Sequence, residues 1–509
     1  MRKSIFDRAI EVIAPTAALK RYAAKARLSV AVRNFEKIEK SEQRKYDAAT
    51  KGRHYSDWYS PNLSVNQEVL YNLALLRDRS RDLGRNNAYA INAVRTIVNN
   101  VIGIGILPNP KGLRANQAKT IKELWDGWGG KTECDYDGNN IFAGLQQLAL
   151  KTVIESGECL IRKVRGTSDD KVPLRIQLLE GDFINTAQHT GIWQTDNTIT
   201  YYGIKFDRNG RRLGYWLFKH HPNEFGSDSE FVPASDIIHL YDVERPGQIR
   251  GLPLSCGVML RLKDLDDYEF TERVRSKVAA SFSIFITEDT VESDPAKPDS
   301  ILDKIEPGAI EHLSPGKKVE AFQPPTTQGY GEYVKNNLRG ISSGFGMSYE
   351  SLTTDYSNVN FSSGRMGWLE FYRNVEKMQW LMMVPRFCDK IYTWFLEAIQ
   401  LKGYIPFSVT PTVSWTPPRR EMIDPLKEMQ AIKEQLRAGI ISWQEIVRTF
   451  GYIPEELMEE LKQDKEMWDK LGLMPTSDAR FDNNRPPEEL GIDPAADDEE
   501  DTPPAKKKK

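Results

Sequence analysis

Asp355-Tyr-Ser-Asn-Val-Asn-Phe-Ser-Ser-Gly364 is a polar loop that runs straight into a long helical stripe, and the rest of the chain is organised around it. From Arg365 onward Trp368, Phe371, Val375, Met378 and Met382 recur every three or four residues, the spacing of a helix with one buried side. Carried to Gln400, that helix is about 36 residues long, roughly 54 Å at 1.5 Å rise per residue. Pro385 lies inside it. Its missing N–H and crowding ring predict a kink near Leu381 to Met382, after which Phe387, Ile391, Trp394 and Ala398 resume the stripe. The loop offers Ser357, Asn358, Asn360, Ser362 and Ser363, neutral hydrogen-bonding groups that can touch a surface without gripping it.

Upstream, Gly331 to Gly346 reads as a helix with Val334, Leu338, Ile341 and Phe345 at helical spacing. A second long helix is expected over Ser255 to Phe282, led in by Arg250-Gly-Leu-Pro253. Its first part carries Asp264, Asp266, Asp267, Glu269 and Glu272 and its last part Arg273, Arg275 and Lys277, a polarity that complements the helix dipole. Val258, Leu262, Leu265, Phe270, Val274 and Val278 make a broken stripe, suited to a helix standing between two neighbours; a domain-linking helix is the alternative. Between the two helices, a strand at Ser283 to Ile286 and two more around Glu306-Pro-Gly308 and Ser314-Pro-Gly-Lys317 form a small β-module. Its core is too small for much independent stability, so it is expected to complete itself against other copies or partners.

An α+β body precedes these pieces, from about 81 to 250. It contains helices at Asn87 to Asn100, Lys119 to Gly129 and Gly138 to Gly157. Strands follow at Glu158 to Val164, Leu174 to Leu179, Thr198 to Phe206, Arg212 to Phe218 and Ile237 to Tyr241. Asp207-Arg-Asn-Gly210 is a hairpin signal, and Gly103-Ile-Gly105 is a turn, because no third glycine or following helix completes a dinucleotide fingerprint. After Gln400 come a strand around Phe407 to Trp415 and helices at Pro425 to Ala438, Ser442 to Phe450 and Pro454 to Leu471, with Ser442 and Glu445 as a capping box. The N-terminal stretch is helix-prone and basic at Lys20, Arg21, Lys25, Arg27 and Arg33, a solvated arm or one that packs on a neighbour or nucleic acid. The chain from Pro475, rich in Pro, Asp and Glu, is expected to be disordered.

Across 509 residues the composition is 40% hydrophobic and 28% charged, which suits a multidomain globular protein, and no run approaches a membrane span. A formal charge of −3 does not describe a protein that wraps nucleic acid in positive potential. Cys134, Cys159, Cys256 and Cys388 are scattered, without a Cys-x-x-Cys pair, and read as reduced packing residues of a cytoplasmic product. No histidine pair has metal spacing, and His239 reads as a satisfied core residue. Asp182, Asp207 and Asp236 lie on separate turns, and there is no Walker A or His-Glu-x-x-His pattern. Gly340-Ile-Ser-Ser-Gly344 matches a nucleophile motif in letters only, since Ser342 lies inside a helix with no strand before it. No catalytic residue, metal or cofactor is expected.

Three stretches carry a family resemblance. Tyr356-Ser-Asn-Val-Asn-Phe-Ser-Ser-Gly-Arg365 with Leu369-Glu-Phe-Tyr-Arg373 resembles the tunnel loop and following kinked helix of tailed-phage portal proteins of the lambda type. Arg81-Asp-Leu-Gly-Arg-Asn-Asn-Ala-Tyr-Ala90 with Val101-Ile-Gly-Ile-Gly-Ile106 resembles their N-terminal segment, and Val232-Pro-Ala-Ser-Asp-Ile-Ile-His-Leu-Tyr241 with Arg250-Gly-Leu-Pro253 the lead into their first stem helix. The resemblance implies an α+β multidomain portal fold. Its parts would be an N-terminal arm (1–80), a mixed α/β wing (81–250, completed by 365–424, which holds the kinked helix), a first stem helix (251–282) and a clip (283–325). A second stem helix (326–350), the tunnel loop (351–364), a helical crown (425–474) and a tail (475–509) would follow.

The resemblance further implies a virion component, made in the host cytoplasm: a ring, usually of twelve copies, at one capsid vertex, through which a separate terminase ATPase pumps double-stranded DNA. Expected partners are other copies, the terminase large subunit, the major capsid and scaffold proteins, and head-completion or tail connector proteins. Lys317, Lys318 and Glu320 are the candidate clip contacts. The absence of catalytic motifs fits a conduit, as does the charge: each Lys or Arg near the duplex adds a salt-sensitive contact that must break at every step. Asp264, Asp266, Asp267, Glu269 and Glu272 are therefore expected to face the channel at least in part. A capsid scaffold or adaptor that conducts no DNA is the rival reading, and a nucleic-acid enzyme would need clustered carboxylates and a metal.

Overall fold

The computed structural model describes residues 62–224, 228–280, 283–288, 317–322, 329–419, 422 and 424–473, with a few positions between 15 and 29. The chain divides into two units, Met1–Ser64 and Val65–Lys509. In the first, the described residues Pro15, Thr16, Lys20, Ala23, Ala24, Leu28 and Ser29 are helical; Arg21, Lys25, Arg27 and Arg33 lie outside the described residues, as does the tail from residue 474.

The second unit opens with α1 (Val65–Asn86), whose Val65, Val69, Leu73, Arg77, Ser80 and Leu83 are buried at helical spacing. The body thus begins at Val65, and the expected arm of residues 1–80 is shortened by this stripe. α2 (Ala88–Val101) follows at once because Asn87 caps it, accepting from the N–H groups of Tyr89 and Ala90. Gly103 and Gly105 then turn the chain, with φ of 48° and 123°. β1 (Leu107–Lys111), α3 (Ala115–Gly129) and α4 (Phe142–Ser156) lead into β2 (Glu158–Arg165), the centre of an antiparallel three-stranded sheet with β3 (Leu174–Glu180) and β8 (Ile237–Tyr241) on its two sides.

β4 (Ile199–Tyr201), β5 (Ile204–Phe206), β6 (Arg212–Phe218) and β7 (Ser229–Pro233) form a four-stranded antiparallel meander. The single strand expected over Thr198 to Phe206 is thus a hairpin, folded at Tyr202 and Gly203 with φ of 46° and 84°. Tyrosine is not a usual left-handed residue, which is why the turn escapes a sequence reading. At the expected Asp207 to Gly210 turn only Gly210 takes positive φ, at 78°. The Asp207 carboxylate closes that loop by accepting from the N–H groups of Asn209 and Arg211 at 2.9 and 2.7 Å.

α5 (Met259–Ala280) leaves the body, β9 (Ser283–Glu288) and β10 (Lys317–Phe322) pair antiparallel, and α6 (Tyr330–Phe345) returns. The strand expected near Glu306 lies outside the described residues. α5 begins at Met259 and its first turn holds no acidic residue, so only Lys277, in the last turn, lies where the helix dipole acts. α6 closely approaches α5 and Val258, the residue just before α5, where α6 has no side chain. A Cβ on Gly344 would lie 2.2 Å from Val258 Cγ1, and one on Gly340 would meet the Arg261 guanidinium.

After α7 (Tyr349–Thr353) the long helix runs as α8 (Phe361–Met378), a π-helical stretch from Gln379 to Cys388, and α9 (Asp389–Leu401). Pro385 lies inside this π-helical stretch. The wider winding spreads its missing donor over ten residues. Gln379, buried there, donates to the carbonyl of Val101 at 2.8 Å, closing the C-terminus of α2. α9 packs Tyr392 and Phe395 on Trp125, with centroids 5.6 and 5.0 Å away. The expected strand near Trp415 is β11 (Thr412–Thr416), which pairs antiparallel with β1, Leu107 opposite Thr416. α10 (Pro425–Arg437), α11 (Trp443–Thr449) and α12 (Pro454–Leu471) complete the described chain. Ser442 caps α11 by accepting from the Glu445 N–H at 3.2 Å. The Glu445 carboxylate turns instead to Arg448 at 2.8 Å, so the cap is one-sided.

Candidate functional site

The loop between α7 and α8 is shorter than expected, because Phe361 already begins α8 and Ser362 and Ser363 lie in its first turn. Thr354 ends α7 in the left-handed region, at φ 57°. Asp355 then accepts from the Ser357 hydroxyl at 2.6 Å and its N–H at 3.1 Å, and these bonds hold its carboxyl below the usual range. Asn360 caps α8, its side chain accepting from Ser363 N–H at 2.8 Å while the Ser363 hydroxyl returns to the Asn360 carbonyl at 3.1 Å. Of the five predicted loop residues, then, Asn360 and Ser363 hold the helix start and Ser357 holds the turn. All five are exposed, as is Tyr356. Asn358 and Ser362 take no part in the cap.

The five acidic residues of α5 do not share a face. Val258, Leu262 and Leu265 are buried, and at about 100° per residue Glu269 and Glu272 follow on that same side. Glu269 accepts from the Tyr89 hydroxyl at 3.3 Å, and Glu272 pairs with Arg275 at 2.7 Å. On the opposite side Leu260, Phe270 and Val274 are 71%, 61% and 42% exposed, with a Lys263–Asp267 pair at 2.7 Å among them. Asp264 and Asp266 flank this apolar side, one at each edge. The structure therefore separates a group that the sequence suggested as one lining. In β10 the backbone sets Lys317 opposite Glu288, Lys318 opposite Thr287 and Glu320 opposite Phe285.

A buried charge cluster was missed. Glu158, fully buried at the start of β2, accepts from Arg77 at 2.7 Å, from Arg250 Nε at 2.9 Å and from the Gly251 N–H at 3.2 Å; His239 Nε2 lies 2.9 Å away. Burial alone would raise this carboxyl, but Arg250 and His239 hold it well below the usual range. His239 faces Arg212 through its other ring nitrogen at 3.1 Å, and burial lowers it to about 4 despite Glu158. It is the satisfied core histidine expected. The residues joined here lie far apart in sequence, and only the glutamate opening an apolar strand hinted at them. A Cβ on Gly251 would sit 2.0 Å from the Gly157 carbonyl oxygen, so Arg250 reaches Glu158 only because that residue is glycine.

Asp182, one of the three aspartates on separate turns, pairs with Arg77 at 2.9 Å and Arg81 at 2.5 Å. Glu180, Asp182 and His221 come within metal-ligand reach of one another, but Arg81 also lies 2.9 Å from Glu180, so the charge a cation would bring is already in place. Ser342 donates to the Arg339 carbonyl inside α6 at 2.9 Å, with no strand-to-helix elbow. Among the described residues no helix is long and apolar enough to cross a membrane.

A family model described as phage portal protein, lambda family, matches residues 51–379. The chain belongs to that family. It is thereby a portal protein of a phage, a component of the capsid vertex, and the matched region takes in all three stretches that resembled portals. Among relatives, the probable portal protein of Halomonas phage phiHAP-1 is 25% identical over 429 residues, covering 78% of this chain and 81% of its own. Portal protein B of Escherichia phage lambda is 21% identical over 482 residues, covering 83% and 89%. Solved structures with some likeness include the neck of an empty gene transfer agent particle (TM-score 0.46, 14% identity, 75% of this chain and 94% of that one). An HK97-family portal protein from Corynebacterium diphtheriae matches with TM-score 0.32 and 10% identity, over 70% of this chain and 98% of that one.

Proposed function

We propose that copies of this portal protein form a ring around a central opening at one capsid vertex and that double-stranded DNA passes through it during packaging and ejection. The observation that carries the reading is α5, with Leu262 and Leu265 buried against its own chain and Leu260, Phe270 and Val274 exposed on the opposite side. An exposed apolar side asks for cover, and in a closed ring an adjacent copy supplies it at every position. Asp264 and Asp266 then lie at opposite edges of that contact, so one edge of the stem, rather than the whole acidic set, lines the channel. The loop tip, Asn358 and Ser362 foremost, approaches the phosphate backbone with neutral groups, which keeps the salt-sensitive attraction of the duplex low.

The β9–β10 module, with Lys317, Lys318 and Glu320, is the proposed docking point for the terminase large subunit and later for head-completion or tail connector proteins, while the wing meets capsid and scaffold proteins. ATP hydrolysis belongs to the terminase and not to this chain. Replacing Asn358 and Ser362 by Lys is expected to leave ring size unchanged and to slow DNA packaging into assembled heads. Packaging at the normal rate would remove the contact claim. Asn360 is unsuitable for this test because its loss also uncaps α8.

A further inference from the structure

α10 contains no buried residue. Leu426, Met429 and Leu436 are 85%, 39% and 39% exposed, and with Lys433 and Arg437 they fall on one side of the helix at about 100° per residue. A helix of thirteen residues is marginal alone in water and depends on packing. Inside the chain that packing is loose: α10 faces α8 across a cavity of about 290 Å3 lined by Trp368, Leu369, Ile432, Ile446 and Phe450. The Leu426–Leu436 side points elsewhere and lies open. α12 repeats the pattern. Pro454 is its one buried residue, and Leu461 and Leu471, 44% and 63% exposed, share a side with Glu460 and Asp464.

The charges of the two helices are complementary. α10 has three basic and two acidic residues, net +1, with Lys433 and Arg437 on the open side; α12 has three basic and seven acidic, net −4, with exposed Glu460 and half-buried Asp464 on the side of Leu461. We propose that α10 of one copy docks on α12 of the adjacent copy, burying Met429 and Leu436 against Leu461 and Leu471, with Lys433 and Arg437 set against Glu460 and Asp464. This rests on the ring reading above and adds to it a head-to-tail contact, the kind of interface that closes into a ring. The charge pattern also rejects a like-with-like pairing of two α12 helices.

The test uses the full chain carrying either Met429→Cys or Leu461→Cys; Cys134, Cys159 and Cys388 are buried and Cys256 is half-buried. Copies of the two variants are co-assembled and oxidised with diamide, and the products are separated on a non-reducing gel. The expected result is a covalent dimer in the mixture and none with either variant alone. Rings of normal mass that give no dimer, or dimers from one variant alone, overturn the interface while leaving the ring intact. Wild-type chain that forms no ring overturns the ring reading and this contact together. If a cysteine variant does not assemble, charge reversal decides: Lys433→Glu with Arg437→Glu should lower ring yield, and adding Glu460→Lys with Asp464→Lys should restore it. Failure of that restoration overturns the proposal.

Discussion

Glu158 gathers Arg77 of α1, Arg250 at the root of α5 and His239 of β8 onto one carboxylate, so one side chain ties the first helix, the sheet and the stem root together. Glu158→Gln leaves two buried guanidinium groups facing a neutral amide, and breaking a buried pair this way costs about 3–5 kcal/mol. Denaturant unfolding should register that loss; an unchanged midpoint would show that the arginines find other partners. The cluster also sets the response to acid. The His239 ring in the unfolded chain takes up a proton near its ordinary 6.5, whereas in the fold burial delays protonation to about 4. Between those values the unfolded chain binds more protons, so stability falls as pH falls. Glu158, held low, adds its own loss as pH drops below its ordinary 4.5. A melting temperature that declines from pH 6.5 to 4, with a shallower decline in His239→Gln, is the expected outcome; a rise on acidification contradicts it. The core place of His239 was legible beforehand, but its partners were not, because Arg77, Glu158, His239 and Arg250 belong to four separate segments.

The elements were more legible than the contacts between them. The stripe through Phe371, Val375 and Met382 gave the long helix, and Pro385 marked its disturbance, but an apolar stripe carries no sign of the π-helical winding or of Gln379 reaching the end of α2. The broken stripe of α5 reflects two apolar sides, which no single sequence assigns to inside or outside. The Gly340-x-x-x-Gly344 spacing, read as an empty motif, has a physical reason in the close approach of α6 to Val258 and Arg261. Gly344→Ala should therefore push α6 away from Val258 at the root of α5, at a cost of about 1–3 kcal/mol. Gly331→Ala, also in α6 but with open space around it, should be neutral or stabilising by up to about 1 kcal/mol. Equal effects of the two substitutions in thermal unfolding would mean that helix propensity, and not the α5–α6 approach, governs both.

At the scale of the whole molecule, the order of segments was legible and their closure was not. β1 and β11 pair from opposite ends of the body, with Leu107 opposite Thr416, and a sequence carries no local sign of a partner so distant. Of the five residues expected in the loop, Asn360 and Ser363 serve the helix cap. The proposed ring, with identical copies side by side around an axis, would cover the exposed apolar residues of α5, α10 and α12 at once. The direct measurement is the mass of the purified full-length protein by light scattering, with negative-stain images of the same sample. The account predicts a closed ring of many copies with a hole wide enough for duplex DNA; folded single chains with no central opening would contradict it.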